Sequence, residues 1–327
     1  MKLNYAKIVG TGSCAPENVL SNEDLEKIIE TSDEWITTRT GIKQRRIIDN
    51  GKFTSDLALE ASKLALENAN MPASELDGII LGTISPDFIF PSTACILQSQ
   101  LGCGNIMAFD LLAGCSGFQY ALHVGNSMVC SGQARNLLIV GAEVLSRIMD
   151  YEDRTTCILF GDGAGSVVLT QSEEPGVMSS ILNSDGSNWE MLYMPGGGSR
   201  IPASEESVKN RDHFLKMNGR DVFKVAVKSL ENASVEAVEE AKLKPEDIDL
   251  FVPHQANLRI IDAVRKRLDM PEEKVYINLD KYGNTSSASV PIALDEAVQA
   301  GKAKKGDVIL TAAFGAGFTW GASLFKL

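Results

Sequence analysis

The chain contains an internal repeat, which limits the possible folds more than any other feature of the sequence. A helical pattern followed by an apolar run occurs at 55–81 and again at 228–252. The two copies align at an offset of 172 residues, which places Asp77 opposite Asp249 and matches three alanines on each helix. Two later pairs align more loosely, 136–144 with 307–315 and 163–169 with 320–326. We therefore expect two α/β halves that carry strands and helices in the same order.

Four short apolar runs predict strands of these halves. They are Gly78–Gly82, Leu137–Val140, Leu250–Pro253 and Val308–Thr311. Each run is continuous instead of alternating, which is typical of strands that covering helices bury on both faces. A helix with one apolar stripe is predicted at Glu231–Lys242. Two such halves pack together, so we expect a functional site at their junction with residues from both.

A change of composition at Gln171–Pro175 predicts the boundary between an N-terminal half, 1–171, and a C-terminal half, 172–327. The segment Met194–Asp212 is rich in glycine, serine and charge and has no periodicity. Such a segment is typical of a surface loop, and a loop of this length could cover a site.

The charge balance excludes some classes of partner. The chain has 31 Lys and Arg against 43 Asp and Glu, which gives a formal net charge of −12. An acidic chain has no general electrostatic reason to bind nucleic acid or an anionic membrane, so we expect neither. An anionic partner would have to meet a local basic patch.

The N-terminal ten residues lack the long apolar core of a signal peptide, and no run approaches the ~18–20 apolar residues that span a membrane. The six cysteines form no Cys-x-x-Cys pair and have no histidine at zinc-ligand spacing. We therefore expect reduced thiols, no metal site and a cytoplasmic location. The cysteines are Cys14, Cys95, Cys103, Cys115, Cys130 and Cys157.

Cys115 is the first candidate for chemistry. It lies in Asp110–Gly117 (DLLAGCSG), between a short apolar strand and an amphipathic helix that begins near Gly117. Small neighbours let the sulfur stand clear of the backbone, and a helix N-terminus favours a thiolate. The arrangement has the logic of a nucleophile elbow with cysteine in place of serine. From this motif alone, a cysteine that only caps the helix fits as well.

His254 is the second candidate. It lies in Phe251–Asn257 (FVPHQAN) and directly follows a predicted buried strand, where α/β proteins place their sites. Its position alone fits a catalytic and a structural role equally. We expect no catalytic role for His123, which lies in a helical pattern, or for His213, which lies in a polar stretch.

Two further segments suggest hydrogen-bond donors. Asn284 lies among glycine and small hydroxyl residues in 282–291, after a strand predicted at Val275–Leu279. An asparagine there is usually a turn residue, but a buried amide also suits a carbonyl or enolate oxygen. In 313–321 (AFGAGFTWG) the peptide N–H near Ala316 could act as an oxyanion donor, or the glycines could simply connect two strands.

Together these motifs resemble the β-ketoacyl-acyl-carrier-protein synthase III family, the initiating condensing enzymes of type II fatty-acid synthesis. The resemblance runs from about residue 5 to the C-terminus and rests on TSDEWITTRTGI, GCSGF, FGDGAGS, PHQANLRI, GNTSSASVP and AFGAGFTWG. It implies a thiolase-like α/β fold, which is an internally duplicated five-layered αβαβα sandwich, and normally a homodimer. The repeat points to the same duplication.

The resemblance also implies a reaction, with acyl-CoA as a substrate and no permanently bound cofactor. Cys115 would take the primer acyl group, and malonyl-acyl-carrier-protein would then enter. His254 and Asn284 would donate hydrogen bonds to its thioester carbonyl while carbon dioxide leaves. Backbone N–H groups of Cys115 and Ala316 would hold the oxyanion. The family favours glycine where this chain has Ala316, and alanine fits there only with a negative φ.

Asn284 separates this chain from the elongating enzymes of the same fold, which use two histidines. Thiolases use a second cysteine near the C-terminus, whereas Cys157 is the last cysteine here. A related acyltransferase or a ketosynthase of specialised metabolism stays open as an alternative. A catalytically silent partner subunit is disfavoured, because such subunits lose the nucleophile.

The resemblance further implies binding residues. Thr31, Trp35, Arg39 and Arg154 would contact the CoA nucleotide, Asn257 the pantetheine arm, and Phe90 the acyl pocket of a partner subunit. The basic segment 259–267 (RIIDAVRKR) directly follows His254 and would steer the acidic acyl carrier protein. In this segment the resemblance implies that Arg259, Lys266 and Arg267 bind the acyl carrier protein. A helix face that is merely solvated would have the same pattern.

Two glycine-rich segments are not phosphate sites. The segment 10–15 (GTGSCA) matches a dinucleotide-binding pattern, but Pro16 follows it instead of a helix. The segment 161–165 (GDGAG) leads into a predicted strand, and the resemblance implies tight packing near the site.

Overall fold

Two mixed sheets, one from each half of the repeat, form the framework. The computed structural model describes residues 5–327, so Met1–Asn4, which begin the segment expected not to be a signal peptide, lie outside the described residues. The first sheet has the strand order β1-β7-β6-β4-β5 and the second β11-β12-β13-β8. The strands are β1 (Tyr5–Cys14), β2 (Val19–Ser21), β3 (Gln44–Arg46), β4 (Gly78–Gly82), β5 (Met107–Leu111), β6 (Asn136–Glu143), β7 (Gly163–Ser172), β8 (Val177–Ser184), β9 (Leu192–Tyr193), β10 (Lys216–Met217), β11 (Leu250–Pro253), β12 (Val308–Gly315) and β13 (Thr319–Lys326).

The two sheets repeat the same pairing. β4 pairs parallel with β6 in a register that places Gly78 opposite Leu137, and β11 pairs parallel with β12 with Leu250 opposite Ile309. Both members of the second pair lie 172 residues after those of the first. In each half an antiparallel strand follows, β7 or β13, and then the outer strand β1 or β8. The 172-residue offset of the sequence repeat therefore also relates the paired strands of one sheet to those of the other.

Helices cover both sheets and fill the space between them. They are α1 (Asn22–Glu26), α2 (Asp33–Thr40), α3 (Thr54–Asn68), α4 (Thr93–Leu101), α5 (Gly117–Cys130), α6 (Glu205–Lys209), α7 (Gly219–Glu240), α8 (Leu258–Arg267), α9 (Leu279–Tyr282) and α10 (Ser289–Gln299). α3 packs on the outer face of the first sheet, and α7 on the outer face of the second. α5 and α10 contact strands of both sheets and form the middle layer. The result is the five-layered αβαβα sandwich that the sequence predicts.

The apolar core follows these layers. One cluster between the sheets joins side chains such as Phe118 on α5, Leu294 on α10, Ile139 on β6 and Ile309 on β12, all of them buried. Two further clusters pack under the outer helices of the two sheets. Because α5 and α10 are held from both sides, the turns that begin them are fixed relative to each other. Those turns carry the candidate site residues.

Several predicted elements differ in extent. β4 and β11 match their predicted bounds, whereas β6 and β12 continue to Glu143 and Gly315, and α7 begins at Gly219 instead of Glu231. The predicted strand Val275–Leu279 is wrong, because Val275 forms only an isolated parallel bridge and α9 begins at Leu279. The segment Met194–Asp212 is mostly irregular, as expected, apart from α6.

The two glycine-rich segments lie in strands. Gly10 and Gly12 belong to β1, which agrees with the rejection of a dinucleotide-binding loop there. Gly163 and Gly165 begin β7, where a Cβ atom would press on Ile292 of α10, so this segment provides tight packing. Among the described residues, no helix is long and apolar enough to cross a membrane.

Candidate active site

Three turns bring Cys115, His254 and Asn284 to one cavity. Cys115 lies in the 3₁₀ turn Gly114–Ser116 that leads into α5, and His254 directly follows β11. Asn284 precedes the 3₁₀ turn Ser286–Ala288 that leads into α10. All three side chains are buried and line a cavity of about 610 Å³. One residue of this set therefore comes from the first half of the repeat and two from the second.

The backbone around Cys115 is packed closely against the loop after β12. Gly114 has a φ of +56°, and a Cβ atom there would lie 2.5 Å from the nitrogen of Ala316. A Cβ atom at Gly315 would collide with the nitrogen of Cys115. Ala316 is not among the described residues with a positive φ, so alanine is accommodated as the sequence requires. The peptide groups of Cys115 and Ala316 thus lie on adjacent turns beside the cavity.

Burial dominates the electrostatics of Cys115. Desolvation raises the pKa of the thiol to about 12, although the nearby Ser286 hydroxyl and a backbone N–H act in the opposite direction. Burial thus favours the thiol and opposes the helix N-terminus, which favours a thiolate. From the thiol form, the proton of Cys115 must leave during the reaction.

His254 is a neutral imidazole with one nitrogen engaged. Complete burial lowers its pKa to about 3, and no described acidic group counteracts this. Nδ1 lies 2.5 Å from the Ser289 hydroxyl oxygen at the start of α10. Nε2 has no hydrogen-bond partner among residues 5–327, and the side chain lines the cavity. Nε2 is thus the nitrogen available to a ligand.

The amide of Asn284 is oriented by its own turn. Its oxygen accepts a hydrogen bond of 2.8 Å from the backbone N–H of Ser286, which has a φ of +49°. The backbone is also held, because Asn284 N–H donates to the Leu159 carbonyl at 2.8 Å. With the amide oxygen occupied, the Nδ2 group is left to donate.

Glu143 supports this turn and was not recognised in the sequence. Its buried carboxylate accepts hydrogen bonds from the hydroxyls of Ser287 at 2.7 Å and Ser85 at 2.6 Å. Burial raises its pKa, while these hydrogen bonds act to lower it. Ser287 is 144 positions away in the chain, so no local pattern could reveal the contact. Glu143 fixes the turn before α10 against the first sheet.

The cavity wall is otherwise largely apolar. Side chains from α7, from the loop between β6 and β7 and from several strands contribute to it. Among them are Leu159, Leu192, Met217, Phe223 and Phe314. Leu192 and Met217 flank the segment Met194–Asp212, whose own residues do not line the cavity. An apolar channel that ends at a thiol and two uncharged N–H donors suits a thioester on a long arm.

The outer end of the cavity carries an aromatic ring with two guanidinium groups near it. Arg39 lies 4.7 Å and Arg154 5.4 Å from the Trp35 ring centroid. Trp35 and Arg39 line the cavity, whereas Arg154 lies beside it and donates to the Glu30 carbonyl at 2.9 Å. The buried hydroxyl of Thr31 has no hydrogen-bond partner among the described residues. Trp35, Arg39 and Arg154, three of the residues expected to bind CoA, therefore lie close together.

Asn257 connects this end to α8. It caps the helix, its side-chain oxygen accepts from Arg259 N–H at 2.9 Å, and its amide donates to the Arg39 carbonyl at 3.1 Å. Asn257 also lines the cavity. Its expected contact with the pantetheine arm stays a prediction.

The basic residues of α8 differ in their availability. Lys266 pairs with Asp262 at 2.6 Å, and Arg267 pairs with Glu231. Arg259 is exposed, lines the cavity and has no acidic partner among the described residues. Arg220, at the start of α7, has the same three properties and was missed, because it stands alone in the sequence without a basic run. Arg39, Arg220 and Arg259 form the cationic rim of the cavity.

Phe90 lies outside this cavity. Its side chain is 84% exposed, so it does not belong to the core of this chain. Phe88, Ile89 and Leu112 are also exposed. Phe88 and Ile89 lie beside Phe90 in the loop between β4 and α4, and Leu112 directly follows β5, the edge strand of the first sheet. Among residues 5–327, no group of three or more histidine, cysteine or acidic side chains is placed to hold a metal ion.

Two family models match the chain. The model described as 3-oxoacyl-[acyl-carrier-protein (ACP)] synthase III matches residues 109–186, and the model of the C-terminal part of that family matches residues 238–327. The first match contains Cys115, and the second contains His254 and Asn284. Both matches therefore cover the residues that line the inner end of the cavity.

Relatives match over the whole chain. The β-ketoacyl-[acyl-carrier-protein] synthase III of Caldanaerobacter subterraneus subsp. tengcongensis is 58% identical over 98% of this chain and 97% of its own length. The crystal structure of 3-oxoacyl-[acyl-carrier-protein] synthase III from Aquifex aeolicus VF5 has a TM-score of 0.91 at 50% identity and covers 98% of this chain and 100% of that chain. The priming β-ketosynthase of the R1128 polyketide pathway has a TM-score of 0.93 at 35% identity and covers 100% and 97%. With this identity across both full lengths, the chain belongs to the 3-oxoacyl-[acyl-carrier-protein] synthase III family of thiolase-like condensing acyltransferases.

Proposed function

We propose that this condensing enzyme joins a primer acyl-CoA, acetyl-CoA in the simplest case, to malonyl-acyl-carrier-protein by a decarboxylative Claisen reaction. The products are 3-oxoacyl-acyl-carrier-protein, carbon dioxide and free CoA, and the step initiates fatty-acid synthesis. The observation that carries the proposal is the convergence of Cys115, His254 and Asn284 on one largely apolar cavity. It rests equally on the relatives, whose names state this activity.

In the first half-reaction Cys115 is the nucleophile. Its sulfur attacks the thioester carbonyl of the primer, the bond to the CoA sulfur breaks, and the thiol proton is transferred in net to CoA. The peptide N–H groups of Cys115 and Ala316, which lie on adjacent turns, hold the oxyanion. The acyl group is then stored on the enzyme, which divides one difficult step into two easier ones.

In the second half-reaction His254 and Asn284 act as neutral donors. Nε2–H of the imidazole and Nδ2–H of the amide bind the thioester carbonyl of the malonyl group and stabilise the enolate that forms as carbon dioxide leaves. The carbanion attacks the acyl carbonyl on Cys115, the bond from that carbonyl to the cysteine sulfur breaks, and the thiolate takes a proton from solvent. Donors without a charge suit this role, because a buried imidazole with a pKa of about 3 stays neutral throughout the physiological range.

The outer end of the cavity binds the CoA nucleotide in this proposal. Trp35 and Arg154 offer faces on which an adenine ring can stack, and the exposed Arg39 guanidinium suits a phosphate. The buried hydroxyl of Thr31, which has no partner within residues 5–327, would bind a polar group of the nucleotide. Asn257 contacts the pantetheine arm between these two ends. CoA is a substrate here, and we propose no resident cofactor.

Acyl carrier protein docks at the mouth of the cavity. Arg259 is the leading contact, because it lies at the rim and its charge is not paired with a described acid. Lys266 and Arg267 contribute less, because each already has an acidic partner. A local patch of this kind steers an acidic partner despite the net charge of −12.

A homodimer is the proposed working form, with Phe90 reaching into the acyl pocket of the second subunit. Among residues 5–327, β5 pairs with β4 alone and leaves one edge free, and the exposed Leu112 directly follows it. An edge of this kind is normally covered. We place the enzyme in the cytoplasm, where the proposed substrates occur, and assign one catalytic centre to the halves 1–171 and 172–327 together.

A ketosynthase that primes a specialised pathway is the second candidate, because the R1128 priming enzyme matches all of this chain. Such an enzyme would use the same residues with another primer. A silent subunit is disfavoured, since the thiol and both donors line the cavity.

Intact-protein mass spectrometry tests the proposal. Incubation with acetyl-CoA should add one acetyl group at Cys115, and malonyl-acyl-carrier-protein should then remove it with release of carbon dioxide. An acetyl group that the malonyl carrier does not discharge would contradict the condensation. Labelling only by a longer or branched acyl-CoA would retain the mechanism and exclude acetyl-CoA as the primer.

A further inference from the structure

Ser289 contacts the rear nitrogen of His254. It is the first residue of α10, its side chain is 2% exposed, and its hydroxyl oxygen lies 2.5 Å from Nδ1 of the imidazole. The hydroxyl has no other hydrogen-bond partner among residues 5–327. The contact joins two segments 35 residues apart, and both elements belong to the second half of the repeat.

The direction of this hydrogen bond follows from the cost of leaving a donor unpaired. If Nδ1–H donated to the hydroxyl oxygen, the hydroxyl proton would be buried without an acceptor. If the hydroxyl donates to Nδ1, only oxygen lone pairs stay unused. Buried donors without partners are rarer and more costly than buried acceptors with spare lone pairs. Ser289 is therefore the donor, and Nδ1 the acceptor.

Because the buried imidazole is neutral, it carries a single proton. With Nδ1 as an acceptor, that proton is on Nε2, the nitrogen that faces the cavity. We propose that Ser289 is a positioning residue that holds His254 in the Nε2–H tautomer, and thereby makes it a hydrogen-bond donor to the malonyl thioester. The proposal rests on the function proposed above for the part that concerns malonyl.

The same short segment then sets both donors of the second half-reaction. The Ser286 N–H occupies the oxygen of Asn284 and leaves its NH₂ group for the substrate. Three positions later the Ser289 hydroxyl occupies Nδ1 of His254 and leaves Nε2–H. In this way two donors without charge face one carbonyl oxygen, and neither presents an acceptor to it. An imidazole with the opposite tautomer would repel that oxygen.

Imidazole ¹⁵N spectra test the tautomer directly. The chain has three histidines, so the spectrum is simple, and the signals of His254 are those lost in His254→Ala. In the ligand-free wild-type enzyme near pH 7 we expect a protonated Nε2 and an unprotonated Nδ1 for His254. A protonated Nδ1 in the wild-type enzyme would overturn the proposal without any variant.

Ser289→Ala tests the consequence. The variant should show a mixture of the two tautomers, and malonyl decarboxylation should fall about five- to tenfold, as for the loss of a hydrogen bond of ordinary strength. Acyl transfer to Cys115 should be nearly unchanged. The matched control is Ser179→Ala, which removes another buried hydroxyl, one that donates to the Ala237 carbonyl at 2.6 Å and does not line the cavity.

The outcomes separate this proposal from the proposed function. Unchanged decarboxylation in Ser289→Ala, or an equal fall in both half-reactions, would overturn the positioning role. An enzyme with the expected tautomer that fails to decarboxylate malonyl-acyl-carrier-protein would contradict the proposed function and leave the assignment of the tautomer in place. If Ser289→Ala does not fold, the wild-type spectrum still decides the tautomer.

Discussion

The two halves of this enzyme use one framework for different purposes, and the turns before α5 and α10 show this best. Cys115 occupies the middle of the first turn, and Ser287, 172 residues later, occupies the middle of the second. Both turns lead into a helix of the middle layer. The thiol of Cys115 faces the cavity, whereas the hydroxyl of Ser287 donates to Glu143 at 2.7 Å. One copy of the turn presents the proposed nucleophile, and the other is anchored.

The strand ends facing these turns differ in a complementary way. Glu143 ends β6, and its counterpart at the same offset is Gly315, which ends β12. The Glu143 carboxylate binds the turn of Ser287, while the absence of a side chain at Gly315 lets the backbone approach the Cys115 nitrogen. A duplicated fold thus fixes one turn by a side chain and keeps the other open for backbone N–H groups. Divergence at a few positions converts a symmetric scaffold into an asymmetric site.

The largest expected effect separates the two turns. Cys115→Ala should reduce condensation by about 10³-fold or more, because the thiol that accepts the acyl group is lost. The stability of the fold should change little. Ser287→Ala should lower the free energy of unfolding by about 1–3 kcal/mol, because the buried Glu143 carboxylate loses a donor, and should retain acylation. Condensation assays and denaturant melts measure both. Full condensation by Cys115→Ala would contradict the assignment of the nucleophile.

A second pair of variants tests the strand ends. Gly315→Ala places a Cβ atom on the Cys115 nitrogen, and the shifted turn should cost about 10²-fold in acylation. Ala316→Gly is the matched control and should change acylation by no more than a few-fold, because its peptide group is retained. Rapid-quench measurement of acyl-enzyme formation compares them. Equal rates for the two variants would show that the close approach at Gly315 is unimportant.

A third pair concerns the rim of the cavity. Arg259→Glu should lower kcat/KM for the malonyl carrier protein about tenfold at low salt and less at high salt, because an unpaired steering charge is reversed. Lys266→Glu should have a smaller effect, because Lys266 is already paired with Asp262. Acylation by acyl-CoA should be nearly unchanged in both. An equal loss with both substrates would instead show that Arg259 acts on every substrate that enters the cavity and is not specific to the carrier protein.

The last effect concerns the stability of the fold and appears only at acidic pH. Burial lowers the pKa of His254 to about 3, below the value of about 6.5 expected in the unfolded chain. Between these values the unfolded state binds the additional proton, so this residue makes the enzyme less stable as the pH falls from 6.5 towards 3. Melts of the wild-type enzyme and His254→Ala across this range should differ in slope. Parallel pH dependences would contradict the buried neutral imidazole.

The parts of the fold that the sequence predicts well are those with a local signal. β4 and β11 match their predicted bounds because five- and four-residue apolar runs between polar residues mark fully buried strands. The strand predicted at Val275–Leu279 was wrong, because this segment pairs with the sheet through a single isolated bridge and forms no ladder. The duplicated order of elements was visible because the repeat offset is constant over one helix and the strand after it in each half, at 55–81 and 228–252.

The site divides in the same way. Cys115, His254 and Asn284 were singled out because each stands in a short motif, and the structure brings all three to one cavity. Burial cannot be read from a motif, so the sequence did not indicate the desolvation that raises the pKa of Cys115. The contacts of Glu143 with Ser287 and of Ser289 with His254 join distant segments, and Arg220 has no basic neighbours, so none of them produces a local pattern.

The central claim is that the first half of the chain stores the acyl group and the second half drives decarboxylation. The most direct test measures both half-reactions in Cys115→Ala and Asn284→Ala, acylation by intact mass and decarboxylation by release of labelled carbon dioxide from malonyl-acyl-carrier-protein. We expect Cys115→Ala to form no acyl-enzyme while still releasing carbon dioxide. Asn284→Ala should be acylated normally and release it at least about 10²-fold more slowly. Loss of both half-reactions in both folded variants, or normal decarboxylation by Asn284→Ala, would contradict this division of labour.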